Sequence, residues 1–130
     1  MKEIDTRIMV YHDLQKKLTR KIAHKYKIHY NEYALLQALN FCDGQRIDDL
    51  DENVEQLKSA LSSLEEKKYI YIKHEHVFLN ENAKKEYKKI KGDIKKEEER
   101  FLDKIGDETY RQTLNSLDKL IYDLNEHLNA

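Results

Sequence analysis

The side chains best able to do chemistry lie between positions 51 and 80, in DENVEQLKSALSSLEEKKYIYIKHEHVFLN. Amide and hydroxyl groups can bond to base edges, and ammonium groups can neutralise phosphates. Side chains suited to such contacts are Gln56, Lys58, Ser59 and Ser62, followed by Lys68, Lys73 and His74. We interpret these residues as candidate contacts to double-stranded DNA.

Three carboxylates lie among these donors and indicate a different chemistry. On a helix over about 53–67, Glu55 and Glu66 share the exposed face with the serines, and Glu52 lies at its edge. Affinity for duplex DNA depends mainly on neutralising its phosphates with Lys and Arg, so acidic side chains on this face oppose binding. The alternative is an acidic face that binds a basic protein partner.

Hydrophobic periodicity predicts the elements that would position these groups. The helix over about 53–67 has an apolar side for burial, formed by Val54, Leu57, Ala60, Leu61 and Leu64. The β-forming residues at 69–72 and 77–79 flank KHEH, a pattern typical of a small hairpin. The sequence therefore predicts a helix that runs into a two-stranded wing.

The rest of the chain is predicted to be helical, because it contains no Pro and only three Gly. Caps and breakers place the helix boundaries. The first expected helix covers about 3–26, the second runs from an Asn31 cap to near Gly44, and a short third helix lies around 47–50. Two more helices are expected further along the chain, one after Asn80 and one after Gly106.

Two of these helices carry apolar stripes at three- and four-residue steps. The stripes are Ile4, Ile8, Tyr11, Leu14, Leu18 and Ile22 in the first helix, and Tyr110, Leu114, Leu117, Ile121, Leu124 and Leu128 in the last. Such stripes must be buried against another surface. They predict a homodimer interface that contains Ile8 and Tyr11 from the first stripe and the positions from Tyr110 to Leu124 from the second. The alternative is that both stripes pack into one monomeric core.

Four segments carry a family resemblance: KIHYNEYALLQAL, LKSALSSLEEKKYIYI, VFLNENAKKEY and FLDKIGDETYRQTLNSLDKLIYDL. They resemble, in turn, the second helix, the recognition helix with the first wing strand, the second wing strand with the following helix, and the dimerising tail of the MarR family. The similarity is greatest to its staphylococcal SarA-like members. The resemblance implies a mostly α (α+β) fold in one domain, 1–130, with a winged helix-turn-helix at 28–80 and dimerisation helices at 1–27 and 81–130.

The resemblance also implies a function. Family members are homodimeric transcriptional regulators whose first, fifth and sixth helices interlock. Their two winged helix-turn-helix units read successive major grooves of DNA, and their wings touch the flanking minor groove.

Two departures from the family pattern keep the alternative open. The stretch FCDGQRIDDLDENVEQ is several residues shorter than in the family, so the first helix of the helix-turn-helix can be little more than one turn. The wing tip KHEH lacks the family's acidic-arginine motif and leaves no arginine to enter a minor groove. With the acidic residues, these departures favour a scaffold that has lost DNA binding and acts as an antirepressor or a DNA mimic.

Composition and motifs exclude other classes of protein. The chain is 39% hydrophobic and 38% charged, and its apolar runs fall far short of the roughly 20 residues that span a bilayer. We therefore expect a soluble cytoplasmic protein without membrane association. The sequence has no Gly-rich phosphate loop and no nucleophile elbow, so we predict neither an enzyme nor a cofactor.

Two histidines and the one cysteine have side chains that can bind metals or sense oxidants. His74 and His76 supply only two of the four ligands that a structural zinc site needs, so no metal is predicted. Cys42 is interpreted as a buried small hydrophobe, with a redox sensor as the alternative.

Charge is segregated along the chain, although the net charge is −1. Residues 2–27 hold eight Lys/Arg against three Asp/Glu, giving +5, whereas residues 43–66 hold two against eight, giving −6. Such asymmetry bears on partner choice and dimer arrangement more than on fold.

Overall fold

The computed structural model describes residues 2–52 and 54–130, most of which are helical. In chain order the elements are α1 (Lys2–Lys25), α2 (Tyr30–Phe41), β1 (Gln45–Arg46), α3 (Ile47–Asp51), α4 (Leu57–Glu66), β2 (Ile70–Lys73), β3 (His76–Leu79), α5 (Glu81–Ile105) and α6 (Asp107–Leu128). The predicted mostly α winged-helix fold is confirmed. Across the described ranges, no helix combines the length and the apolar character needed to cross a membrane.

The chain divides into two compact units, one ending at Ile94 and the other beginning at Lys95. The first unit contains the hydrophobic core, to which α2, α4, the strands and the first part of α5 contribute. Its fully buried side chains include Leu35, Leu36, Leu39, Leu50, Leu64, Val77 and Ile90. In the second unit, α6 has no buried residue.

Helix α1 joins this core only through its C-terminal part, where Ile22 and Ala23 are buried and Leu18 is partly buried. Just after α1, the hydroxyl of Tyr26 donates a hydrogen bond to the carboxylate of Asp93 on α5. This hydrogen bond, together with burial, raises the pKa of Tyr26. The end of α1 is therefore fixed to α5 by a polar contact as well as by core packing.

The wing is a three-stranded antiparallel sheet in the order β1-β3-β2. The predicted hairpin is confirmed, since β2 and β3 pair in a register that places Lys73 opposite His76. Its tip is formed by His74 and Glu75, both at positive φ, as tight hairpin turns require. Strand β1 was not predicted, because two residues are too few to show a period.

The helix-turn-helix consists of α2, α3 and α4, with α4 packed against α2. Helix α3 has five residues, little more than one turn. The predicted start of α4 at about 53 is wrong, because Gln56 has the left-handed conformation (φ 53°, ψ 43°) and a right-handed helix cannot pass through it. Val54 is buried as predicted, but it lies before the helix.

Both ends of α2 differ from the prediction. The N-cap residue is His29 and not Asn31. At the other end, Cys42 is exposed and not buried. Helix α2 ends at Phe41, and the extended conformation of Cys42 (φ −147°, ψ 102°) takes its side chain off the buried face of the helix.

Candidate nucleic-acid interface

Helix α4 has one buried side and one exposed side. The buried side matches the prediction and consists of Leu57, Ala60, Leu61 and Leu64. The exposed side carries Lys58, Ser59 and Ser62, but also Glu65 and Glu66. The predicted donors therefore share one face, where they lie beside two carboxylates.

The other predicted acidic residues lie outside the helix. Glu52 is the C-cap of α3, and Glu55 lies in the turn before α4. The prediction that they share a helical face with Glu66 is wrong, because left-handed Gln56 interrupts the period on which that prediction rested. All three glutamates are nevertheless exposed.

The start of α4 is tied to the start of α2. Gln56 is exposed, and its Oε1 accepts a hydrogen bond of 3.1 Å from Nδ2 of Asn31. This contact joins the first turn of α2 to the N-cap of α4. It also uses part of the hydrogen-bonding capacity of Gln56, one of the predicted DNA contacts.

The end of α4 is held by Glu32, which is only 2% exposed. Its Oε2 accepts hydrogen bonds from Nζ of Lys67 (2.9 Å) and Oγ of Ser63 (3.0 Å), and its Oε1 accepts one from the backbone N–H of His29 (3.0 Å). Lys67 also donates to the carbonyl of Lys27 (2.8 Å). Sequence reasoning missed Glu32, although a Glu three residues after a helix cap is a known capping signal.

These contacts control the ionisation of Glu32. Desolvation by burial raises the pKa of Glu32. Its pKa is lowered by hydrogen bonds from Lys67, the His29 N–H and Ser63 and by the positive charge of Lys67, and together these effects outweigh burial. The net result is a pKa below the usual value. Glu32 is therefore an anion at neutral pH and holds the cation of Lys67 beside the last turn of α4.

Lys68 lies in the turn between α4 and β2, with φ of 63°. Its carbonyl accepts a hydrogen bond of 2.8 Å from Nδ2 of Asn80, and the N–H of Asn80 donates to the carbonyl of Tyr69 (2.9 Å). These bonds connect the end of α4 to both ends of the β2–β3 hairpin. The side chain of Lys68 is exposed at this junction.

The wing tip brings Lys73 and His74 together, and both side chains are exposed. His76 has a different role, since its Nδ1 lies 2.9 Å from the carbonyl oxygen of Gly44 and connects β3 to the turn after α2. Within the described ranges, no group of three His, Cys, Asp or Glu residues is placed to hold a metal ion.

Arg46 is a wing residue that sequence reasoning missed. It lies on β1 opposite His76, and its guanidinium Nη2 is 3.9 Å from the carboxylate of Glu75 at the tip. Both side chains are largely exposed. The wing therefore has an arginine, although the tip sequence KHEH contains none.

The predicted apolar stripes are exposed over most of their length. In α1, the stripe is exposed at Ile8 (49%) and Tyr11 (57%) and is buried at Ile22. In α6, most of the stripe is exposed: Tyr110 39%, Leu114 42%, Ile121 66%, Leu124 59% and Leu128 72%, with Leu117 intermediate. Large side chains in such rows are typical of surfaces that pack against another chain.

No protein-family model matches the sequence, and no curated protein resembles it closely enough to be matched. Solved structures do match it in fold. A MarR family protein from Mycobacterium tuberculosis has a TM-score of 0.78 at 14% identity, covering 90% of this chain and 92% of that chain. A transcriptional regulator from Thermotoga maritima has a TM-score of 0.77 at 15% identity, covering 98% of each.

A third similar structure is MepR, described as a transcription regulator of the Staphylococcus aureus multidrug efflux pump MepA. Its TM-score is 0.74 at 19% identity, covering 92% of this chain and 96% of that chain. The likeness at these low identities is one of fold. This chain thus has the winged-helix fold of MarR family transcriptional regulators.

Proposed function

We propose that this protein is a homodimeric transcriptional regulator that binds double-stranded DNA with α4 and the wing. The observation that carries the proposal is the exposed face of α4, where Lys58, Ser59 and Ser62 stand clear of the core. The helix is held at its start through Gln56 and at its end through Glu32. A helix fixed at both ends, with one polar face exposed, suits insertion into a major groove.

The residue roles follow from this placement. Gln56, Lys58, Ser59 and Ser62 contact bases or phosphates in the major groove. Lys68 at the junction and Lys73 with His74 at the tip contact the flanking backbone. In this proposal residues 28–80 bind DNA within one domain, 1–130, and the helices at 1–27 and 81–130 dimerise.

The homodimer covers the stripes that a single chain leaves exposed. The heptad seam from Tyr110 to Leu124 on α6 and the outer stripe of α1 around Ile8 and Tyr11 are its interface. A dimer also presents two α4 helices to successive major grooves, which a monomer cannot do. A regulator of this kind acts on the chromosome, so the proposal includes a cytoplasmic location. The proposal also assigns the chain to the SarA-like subgroup within the MarR fold.

A second candidate function rests on the acidic segment before α4. Asp48, Asp49, Asp51, Glu52 and Glu55 are all exposed within eight positions. This segment, with Glu66, can attract a basic protein surface and repel DNA. The second candidate is therefore a winged-helix scaffold that binds a basic protein partner.

Titration of a labelled duplex of mixed sequence at low ionic strength tests the proposal. Phosphate neutralisation makes non-specific binding strongest at low salt, so a DNA-binding protein gives saturable binding at micromolar concentration, and the binding weakens as salt rises. Absence of binding under these conditions would contradict the proposal and favour the protein-binding scaffold.

A further inference from the structure

A cavity of about 550 Å³ lies between the second half of α1, the start of α2 and the exposed side of α4. Its lining includes Arg20 and His24 from α1, Tyr30 and Asn31 from α2, and Gln56 and Ser59 from the α4 region. Most of these groups are polar or cationic, whereas pockets for small organic ligands are lined mainly by apolar side chains. The lining is suited to a hydrophilic anion.

Two cations of α1, Lys16 and Arg20, lie against the ring of Tyr30 at the cavity. The guanidinium of Arg20 lies 5.6 Å from the ring centroid of Tyr30, and Nζ of Lys16 lies 5.9 Å from the same centroid. Over residues 2–52 and 54–130, no carboxylate approaches either cation within 4.0 Å. Of these two cations, Arg20 lines the cavity, so its charge is available to an anion there.

One carboxylate, that of Glu32, also lines the cavity. Its oxygens already accept hydrogen bonds from Lys67, Ser63 and the backbone of His29, and Lys67 balances its charge. Glu32 is therefore a neutralised part of the wall. The net charge presented by the lining comes from α1.

We propose that this cavity binds a backbone phosphate of duplex DNA, with Arg20 as its principal cation and with Ser59 and Asn31 as neutral donors. The inference rests on the proposed function, because Ser59 belongs both to the exposed face of α4 and to the cavity wall. DNA lying on α4 thus brings its backbone to the cavity opening. Arg, Ser, Asn and Tyr side chains are the usual phosphate partners in protein–DNA complexes.

This assignment gives the basic N-terminal segment a role. The turn before α4 and α4 itself are acidic, so they supply few of the cations that DNA binding requires. The structure places Arg20 and His24 of the segment 2–27, which carries +5, beside α4. The charge of Arg20 then offsets part of the acidic charge of this region.

Fluorescence anisotropy of the full chain on a labelled duplex of about 30 base pairs, long enough for two half-sites one helical turn apart, tests the assignment. Arg20→Gln should flatten the slope of log affinity against log salt by about 0.9 for each chain bound, and lower the affinity about tenfold per chain at low salt. Ser59→Ala removes a neutral donor, so it should weaken binding without changing the slope.

The matched control is Arg7→Gln, which removes the same charge from the same helix about 20 Å along its axis and should leave the slope unchanged. Equal thermal unfolding midpoints would show that the exposed variants fold alike. If the wild-type chain binds DNA and Arg20→Gln keeps its slope, the cavity assignment fails while the proposed function stands. If the wild-type chain binds no DNA, both fail.

Inorganic phosphate distinguishes a free anion from DNA. If phosphate raises the unfolding temperature of the wild type but not of Arg20→Gln, and Arg20→Gln also keeps the wild-type DNA affinity and salt slope, the cavity is a site for a small anion. That result would overturn the assignment to the DNA backbone.

Discussion

At the residue scale, Glu32 shows how a buried charge can fix the orientation of a helix. A carboxylate that is 2% exposed is costly unless its hydrogen bonds are made, and three donors meet its two oxygens. Two of these donors, Ser63 and Lys67, lie at the end of α4, so the bonds constrain the helix that we propose to enter DNA. Apolar packing alone would leave more freedom to slide or rotate.

The ionisation of Glu32 should make stability depend on pH. Its folded-state pKa lies below the usual value of 4.5, so the stabilisation it provides is fully present above that value and is lost as pH falls through the lower folded-state pKa. Glu32→Gln should lower the free energy of unfolding by about 1–3 kcal/mol at pH 7, because Lys67 loses a charged acceptor. Urea denaturation from pH 7 down to acid conditions measures both effects.

Because Glu32→Gln lacks the titrating group, its stability should fall less between pH 7 and acid than that of the wild type. Glu65→Gln is the matched control, since Glu65 is an exposed glutamate on α4. It should have nearly the stability and the pH dependence of the wild type. Parallel pH profiles for the wild type and Glu32→Gln would contradict the role given to Glu32.

Gly44 is a second residue whose environment permits a sharp prediction. It has φ of 72°, and a Cβ placed on it would lie 2.9 Å from the Phe78 ring. Gly44→Ala should therefore destabilise the protein by about 1–2 kcal/mol or more, because it combines left-handed strain with a clash in the wing. Chemical denaturation monitored by circular dichroism measures the change.

Gly92 provides the control for this prediction, because it lies inside α5 and a Cβ there meets no atom within 4 Å. Gly92→Ala should stabilise the protein by about 0.5–1 kcal/mol through its higher helix propensity. A Gly44→Ala variant as stable as the wild type would show that the turn and the Phe78 ring adjust freely.

At the scale of elements, apolar periodicity in the sequence predicts the buried faces of helices and the pairing of strands. It does not predict where a helix starts when the conformation of a single residue sets that boundary. The buried side of α4 and the β2–β3 hairpin follow from apolar spacing. The start of α4 does not, because Val54 continues the apolar spacing of Leu57 backwards across Gln56, where the left-handed conformation ends the helix. Glu55 was placed on a helical face for the same reason.

Very short strands and contacts between distant segments were also not predicted from the sequence. Strand β1 has two residues, so nothing in the local pattern indicated that Arg46 lies beside the wing tip. The cavity beside α4 depends on α1, whose charge is visible in the sequence but whose position beside α4 is set only by the fold. The sequence therefore predicts candidate DNA contacts on α4 and the wing but not the contact that we propose for Arg20 of α1.

Neutralising the acidic residues around α4 should change binding in opposite directions for the two candidate functions. If α4 enters a major groove, Glu55→Gln with Glu66→Gln should tighten general DNA binding about two- to fivefold at low salt, since exposed charges interact by up to about 1 kcal/mol. Lys58→Ala and Lys73→Ala should each weaken binding and flatten the salt slope by about one unit. Anisotropy titrations at several salt concentrations measure these effects.

If the acidic segment binds a basic protein instead, the same Gln substitutions should slow association with that partner at low salt. The two functions thus require opposite effects from one pair of substitutions. Undetectable DNA binding at micromolar protein, even with Glu55 and Glu66 neutralised, would lead us to abandon DNA reading.

At the scale of the whole molecule, charge is segregated along the chain and apolar side chains are exposed on α1 and α6. Basic residues concentrate in 2–27 and acidic residues in 43–66, while the net charge stays at −1. Weak attraction of one chain to DNA is then reinforced when a dimer brings two chains to the same duplex, because the second contact becomes intramolecular. The proposed function therefore depends on the proposed dimer, because α4 itself is acidic.

The assembly prediction follows from the α6 stripe. If the seam from Tyr110 to Leu124 packs between chains, light scattering at micromolar concentration should give about twice the chain mass of 15.7 kDa. Leu117→Asp with Ile121→Asp should dissociate or unfold the protein, because an unpaired carboxylate buried in an apolar interface costs about 3–5 kcal/mol.

The matched control is Gln112→Asp with Asn115→Asp, which adds the same two charges to the opposite side of α6 at exposed positions. This control should keep the dimeric mass, because its carboxylates stay in water. A wild-type protein that is a monodisperse monomer would contradict the dimer, and the two copies of α4 would then have no means of reading successive grooves together. If both double variants keep the dimeric mass, the α6 seam is excluded as the interface, and the outer stripe of α1 becomes the next candidate surface for dimerisation.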